Sequence, residues 1–250
     1  MSEEEDETFD SNDISNADLE KLTSSEHFDI VDYVNDMIVI DYCLEHEKFN
    51  VNDKVLHGEE TLLHHASAYN KLQMAKMLIY KFKADVECRT RTRRDTPLLL
   101  ACKNYNCKIV ELLFENDVKV DNKNNLGMTP LMYACIGSHA DLMETLLLRG
   151  ANANEQNLDG KTPLIYACSL CPPSHVRLLL EHGADIHVED NKKKSPLMYA
   201  AEYCNPETVK MLIDNGATEY DIIHAYKIAK KTPCDSCIDI LYKHLPKKKC

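Results

Sequence analysis

Long apolar runs, a basic excess and glycine-rich segments are all missing from this 250-residue chain. The most apolar stretch, MIVIDYCL from Met37, is interrupted by Asp41 and is far too short to span a bilayer, so no membrane association is expected. No basic start followed by an apolar run marks a secretory signal. Glycine occurs only seven times, no glycine-rich phosphate loop is present, and neither GxSxG nor HExxH occurs. The expectation is a protein without catalytic residues, resident metal or cofactor.

What is present is acid, and it is unevenly placed. Of the net charge of −12, residues 1–26 carry −9, from ten acids against Lys21, which leaves −3 for the rest. A near-neutral body lacks the positive field that non-specific nucleic-acid binding draws on, so nucleic acid is not an expected partner. Eleven cysteines without a secretory signal point to a reducing compartment, the cytoplasm or the nucleus, with free thiols as the default. The odd count argues against a full disulfide framework. Hydrophobic content of 44% with 28% charged residues fits a chain with a sizeable core.

Self-comparison supplies the organisation. Residues 96–101 read TPLLLA, 129–134 TPLMYA, 162–167 TPLIYA and 195–200 SPLMYA, each start 33 residues after the last. A fifth copy, TLLHHA, begins at Thr61, 35 residues before the first of these. An apolar helical segment follows each of the four later copies (KIVELLF, DLMETLL, HVRLLLE, ETVKMLI), and Gly-Ala breaks follow at Gly150, Gly183 and Gly216. The unit is helix, turn, helix, projecting loop. Pro97, Pro130, Pro163 and Pro196 fall in the first turn of the first helix, where a missing N–H is harmless, and the preceding Thr or Ser can cap it. Leu98, Leu131, Leu164 and Leu197 share an edge with Ala101, Ala134, Ala167 and Ala200, and the small alanines let neighbouring helices approach. One unit cannot bury both its faces, so copies must stack.

This pattern resembles the ankyrin repeat, whose 33-residue period and TPLHxA core it follows in register over residues 57–223. The resemblance implies an all-α solenoid of stacked helix-turn-helix units with projecting β-hairpin loops. It also implies protein–protein interaction through the finger tips and the concave face of the first helices. The family histidine is kept only as His64; Leu99, Met132, Ile165 and Met198 replace it. The glycine before TPL is Gly127 and Gly160 but Arg94 and Lys193 elsewhere, which is expected to weaken local hydrogen bonding without changing the fold. The expected organisation is an acidic disordered tail over 1–25, a degenerate N-terminal helical cap over 26–56, and five repeats over 57–223. A C-terminal helical cap over 220–245 and a basic tail over 246–250 complete it.

Two CxxC spacings, Cys168/Cys171 and Cys234/Cys237, invite a metal or redox reading. Cys168 stands where other copies have Cys102, Cys135, Ala201 and Ser67, so it reads as a small packing residue. The two pairs are two repeats apart, on the order of 20 Å, whereas zinc ligands sit about 2.0–2.3 Å from one ion, so a joint site is excluded. A smaller site borrowing His175 or His244 is the remaining alternative. His64 and His65 are adjacent and do not share a helix face; His64 reads as a hydrogen-bonded repeat histidine.

Candidate partner-binding residues follow from the resemblance by position. The second repeat's finger, CRTRTRRD, holds Arg89, Arg91, Arg93 and Arg94; on a hairpin the alternate Arg89, Arg91 and Arg93 would project together, toward carboxylates, phosphates or the protein's own acidic tail. Tyr133, Tyr166 and Tyr199 recur every 33 residues and form either a contact ladder or groove filling, with Ile136, Leu170, Glu202 and Tyr203 beside them. In the tail, DSNDIS resembles the DSGxxS phosphodegron that precedes the repeats in inhibitors of NF-kappa-B, with Asn12 in place of glycine. That likeness makes Ser11 and Ser15 candidate phosphorylation sites and implies a Rel-type factor as an alternative partner; Ser15 equally reads as a helix cap before ADLEKL. The expectation is a monomeric interaction scaffold or adaptor whose partner is another protein.

Overall fold

The computed structural model describes residues 15–24, 36–56, 59–232 and 234–246, in helices joined by turns and loops, with one isolated antiparallel bridge between Leu56 and Glu60. Helix pairs follow one another along the chain: α3 (Leu62–Ala68) with α4 (Leu72–Lys76), α5 (Pro97–Lys103) with α6 (Cys107–Phe114), α7 (Pro130–Ile136) with α8 (Ala140–Leu148), α9 (Pro163–Leu170) with α10 (Pro173–Glu181), and α11 (Pro196–Glu202) with α12 (Pro206–Asp214). The first helices stack in one column, each packed on the next from α3 to α11, and Leu98, Leu131, Leu164, Leu197 and their alanine partners are buried between them. Helices α13 (Glu219–Ala229) and α14 (Asp235–Lys243) extend the stack by one pair that lacks TPL: α13 lies on α11, and α14 on α12 and α13. No helix among the described residues is long and apolar enough to cross a membrane.

The column is started correctly each time by the residues flanking it. Thr61, Thr96, Thr129 and Thr162 have extended backbones, and their hydroxyls accept from the N–H three residues on (3.3–3.4 Å). Ser195 departs from the expected cap: its hydroxyl is buried and makes no bond to the α11 backbone.

The 35-residue first spacing is absorbed in two places. From Thr61 to Ala84 the chain has one residue more than from Thr129 to Ala151, and α4 runs on into a π-turn at Met77–Lys81 that takes up the extra residue. Ala84 N–H consequently reaches back six residues to the Leu78 carbonyl, whereas Ala151 N–H bonds Leu146 five back. The second extra residue lies in the finger tip, between Thr90 and Asp95.

At the N-terminal end, α1 (Asn16–Thr23) packs on α2 (Met37–Glu45). Residues 1–14 and 25 of the expected disordered tail lie outside the described residues; its remainder carries this helix. Ser15 and Asp18 form a reciprocal capping box, and Leu19 is only 3% exposed. A capped start and one anchoring leucine offset the ordering of this short helix.

Candidate partner-binding surface

The fingers are turns, each spanned at its base by a backbone bond: Thr90 N–H to the Asp95 carbonyl (2.9 Å), Asn124 to Met128 (3.2 Å), Asn157 to Lys161 (3.1 Å) and Asp190 to Lys194 (3.0 Å). No strand ladder forms among the described residues, so the alternation expected of a hairpin does not govern where side chains point. Arg89 shows the consequence. Its guanidinium donates to the Lys123 carbonyl (2.7 Å), the Arg94 carbonyl (3.2 Å) and Asn122 Oδ1 (2.9 Å), tying one finger to the next. Arg89 is therefore a structural clamp and does not project with Arg91 and Arg93, which are exposed together with Arg94.

The tips are linked to each other. Arg91 N–H bonds the Glu59 carbonyl (3.1 Å), Asn125 N–H that of Arg93 (2.9 Å), Leu158 N–H that of Leu126 (3.0 Å), and Asn191 N–H that of Asp159 (2.9 Å). Glu59 also accepts from the Thr92 N–H (2.8 Å) and hydroxyl (2.6 Å), and those bonds hold its carboxyl below the usual range. Arg94 and Lys193 occupy the glycine position with φ of 59° and 60°. The turn bond is not weakened at Lys193, whose N–H lies 2.9 Å from the Asp190 carbonyl, as Gly127 N–H does from Asn124.

Along this linked row the exposed side chains change character. Arg91, Arg93 and Arg94 lie at one end and Lys192 and Lys193 at the other; between them Leu126 is 51% and Leu158 68% exposed, beside Asp159. The two leucines were not singled out from the sequence, because isolated leucines in loops carry no periodic signal. Only knowing which tips are neighbours brings them together.

The tyrosine ladder divides differently from either simple reading. Asn124 Nδ2 donates to Tyr133 Oη (3.1 Å) and Asn157 Nδ2 to Tyr166 Oη (2.9 Å), while Tyr199 donates to Asp190 Oδ2 (2.7 Å). Each ring thus braces its own finger against its first helix. Tyr133 and Tyr166 are half-buried, and Tyr199, at 6% exposure, is core and not contact surface. Burial pushes all three phenols up. Lys161 lies over Tyr166 (5.5 Å) and Tyr199 (5.2 Å), and Lys194 over Tyr199 (4.8 Å) with its ammonium on Glu202 (2.6 Å). Ile136, Leu170 and Tyr203 are exposed at the ends of their helices.

His64 is buried between the first two copies. Thr61 N–H donates to its Nδ1 (3.2 Å), so Nε2 carries the proton and donates to the Asp95 carbonyl (3.0 Å). The chain belongs to the ankyrin-repeat family. A family profile described as Ankyrin repeats (3 copies) matches residues 63–157 and 137–223, together well over half the chain. The comparison with curated proteins finds no match. Ankyrin repeats generally mediate protein–protein interaction.

The remaining site expectations fall outside this edge. Ser11 lies outside the described residues, and the Ser15 hydroxyl donates to Asp18 Oδ2 (2.6 Å) within the capping box. Cys168 is buried packing, and Cys171 Sγ donates to the Cys135 carbonyl (3.0 Å). Burial pushes the Cys102, Cys135 and Cys168 thiols far up and Cys88 to about 11. The free-thiol default fails at one place: Cys204 and Cys234 form a disulfide, and all three sulfur atoms of Cys204, Cys234 and Cys237 lie within 4.8 Å of one another. Neither candidate histidine joins them; His175 Nε2 is 3.2 Å from the Ser138 carbonyl and His244 Nδ1 2.8 Å from that of Ile240. Cys204 stands 30 residues from Cys234, beyond any CxxC spacing, so only the packing of α14 against α12 and α13 reveals the trio.

Proposed function

We propose that this chain is a non-enzymatic adaptor that holds an extended acidic segment of a partner protein along its finger tips. The observation that carries the reading is the tip row itself, basic at both ends with Leu126 and Leu158 exposed between. Adjacent repeats pack roughly 8–10 Å apart, so the row from Arg93 to Lys193 spans on the order of 30 Å. At about 3.3 Å per extended residue, that fits a segment of about nine residues with carboxylates or phosphates near both ends and apolar side chains in the middle. Arginine forks suit bidentate pairing with such groups, and the tip-to-tip bonds pre-organise the row, which lowers the ordering penalty on binding. Ile136, Leu170 and Tyr203 offer a second contact strip on the first helices. The high thiol pKa values support a reading without a cysteine nucleophile. The inhibitor reading rests on sequence likeness alone, because Ser11 is outside the described residues and Ser15 is engaged in its cap.

The test is photo-crosslinking in lysate with a reactive residue at Leu126, against the same residue at Leu148 on a second helix. A partner trapped only from Leu126, and lost in an Arg91→Glu/Arg93→Glu/Leu158→Ser variant that stays folded by circular dichroism, is the expected result. Equal trapping from both positions, or capture undiminished in the variant, refutes the tip row as the binding site.

A further inference from the structure

The disulfide between Cys204 and Cys234 uses two sulfurs of a group of three. Cys237 is fully buried, needed by no cross-link, yet its sulfur lies within 4.8 Å of both others. Cys102, Cys135 and Cys168, also buried, recur at one position of successive repeats and explain themselves as packing residues, and Cys171 Sγ donates to the Cys135 carbonyl. Cys237 has no such counterpart, because α14 carries no repeat motif.

The three sulfurs come from two rigid places. Cys204 closes α11 in a left-handed turn (φ 55°) and is exposed; Cys234 is the N-cap of α14 and Cys237 lies in its first turn. The spacing of Cys234 and Cys237 lets one helix start supply two ligands. Three sulfurs at about 2.3 Å from a tetrahedral zinc ion lie about 3.8 Å apart. Once the disulfide opens, its two sulfurs relax to about that separation by van der Waals contact alone, and the third is already within reach. The first amides of α14 offset the negative charge that three thiolates leave on a divalent ion.

We propose that Cys204, Cys234 and Cys237 form a redox-gated site for a zinc-class ion, open as a disulfide and filled when reduced. A dithiol reductant delivers two electrons and two protons to the Cys204–Cys234 bond and is itself oxidised to a disulfide. The ion then displaces the protons of the three thiols to solvent as three metal–sulfur bonds form. Its fourth position faces solvent beside Cys204, the exposed member. Reoxidation by a disulfide oxidant, which takes up the two electrons and leaves as two thiols, re-forms the Cys204–Cys234 bond, removes two ligands at once and releases the ion, so metal and disulfide are alternative staples between the last repeat and the C-terminal helices.

The full chain is reduced with a dithiol, freed of it by gel filtration under nitrogen, and titrated with Zn2+, with Co2+ as a spectroscopic stand-in. Native mass spectrometry should show one zinc per reduced chain and none per oxidised chain. Alkylation should show three thiols protected by the metal, and Co2+ should give sulfur-to-metal charge-transfer absorption. Cys237→Ser and Cys204→Ser should each weaken binding at least about tenfold, whereas Cys171→Ser, in the other CxxC pair, should not. Cys204 is exposed, so its variant keeps the test valid if Cys237→Ser fails to fold. No uptake by folded reduced protein overturns the proposal, as does equal uptake by the oxidised chain or by the Cys204→Ser variant. A Cys234–Cys237 cross-link found by peptide mapping, without metal uptake, overturns it in favour of simple thiol exchange.

Discussion

His64 is the one histidine of its kind in the stack, and its environment gives it a measurable signature. Burial pushes the imidazole down from 6.5 to about 4, against the opposing pull of the Asp95 carbonyl. The unfolded chain therefore binds a proton near pH 6.5 that the folded chain refuses until about pH 4. Stability from this group is complete above pH 6.5 and drains away as pH falls toward 4, by on the order of 3 kcal/mol. Leucine, methionine or isoleucine fills the same position in every other copy, so His64→Leu fits sterically but leaves the Asp95 carbonyl and Thr61 N–H without the ring. The expected outcome is a loss of about 1–3 kcal/mol at pH 7.5 in urea unfolding. That gap should close between pH 6.5 and 4.5; parallel pH profiles for the two proteins would place the titration elsewhere.

At the scale of elements, the fingers behave as one linked edge. Gly127 makes this testable because two constraints meet there: φ is +72°, and an added Cβ would lie 2.9 Å from Asn157 Cα and Leu158 N in the next finger. Gly150 has φ +87° but open space around it. Alanine at Gly150 should cost only the left-handed penalty, about 1–2 kcal/mol, while alanine at Gly127 adds displacement of the neighbouring tip and should cost about 1–3 kcal/mol more. Equal losses in denaturant titration would mean the tips are not mechanically coupled. The sequence made the helices of this edge legible, through proline, the threonine caps and the leucine–alanine spacing, because those residues act within one repeat. The side chains of the fingers were not legible in the same way. Arg89 looked like a twin of Arg91 until Lys123 and Asn122 of the next finger were placed beside it. Tyr199 looked like Tyr133, yet Asp190 in place of asparagine accepts its hydroxyl at 2.7 Å, and the ring is buried where α13 packs on α11. Arg89 is decided by residues one repeat away, which no local pattern records, whereas Tyr199 is distinguished by one Asn-to-Asp change nine residues earlier in its own repeat, a difference that carries no meaning until the finger is seen folded against the ring.

For the whole molecule, stability is close to a sum over neighbours, because each pair of helices touches mainly the pairs beside it. A cross-link placed at one end should therefore be felt mainly at that end. The Cys204–Cys234 disulfide closes a loop with a sequence separation of 30 and fastens α14 to the last turn of α11. Loop-closure entropy for that length corresponds to about 3–4 kcal/mol. In a cooperative globular core such a change would lower protection everywhere. Here reduction should raise hydrogen exchange over α13 and α14 and then α11 and α12, while α5 to α8 change little. Exchange mass spectrometry of the oxidised and reduced chains, both without metal, reads this directly, with Cys204→Ser matching the reduced pattern. A uniform rise across all pairs would show instead that the stack unfolds as one unit, and that the C-terminal helices nucleate it.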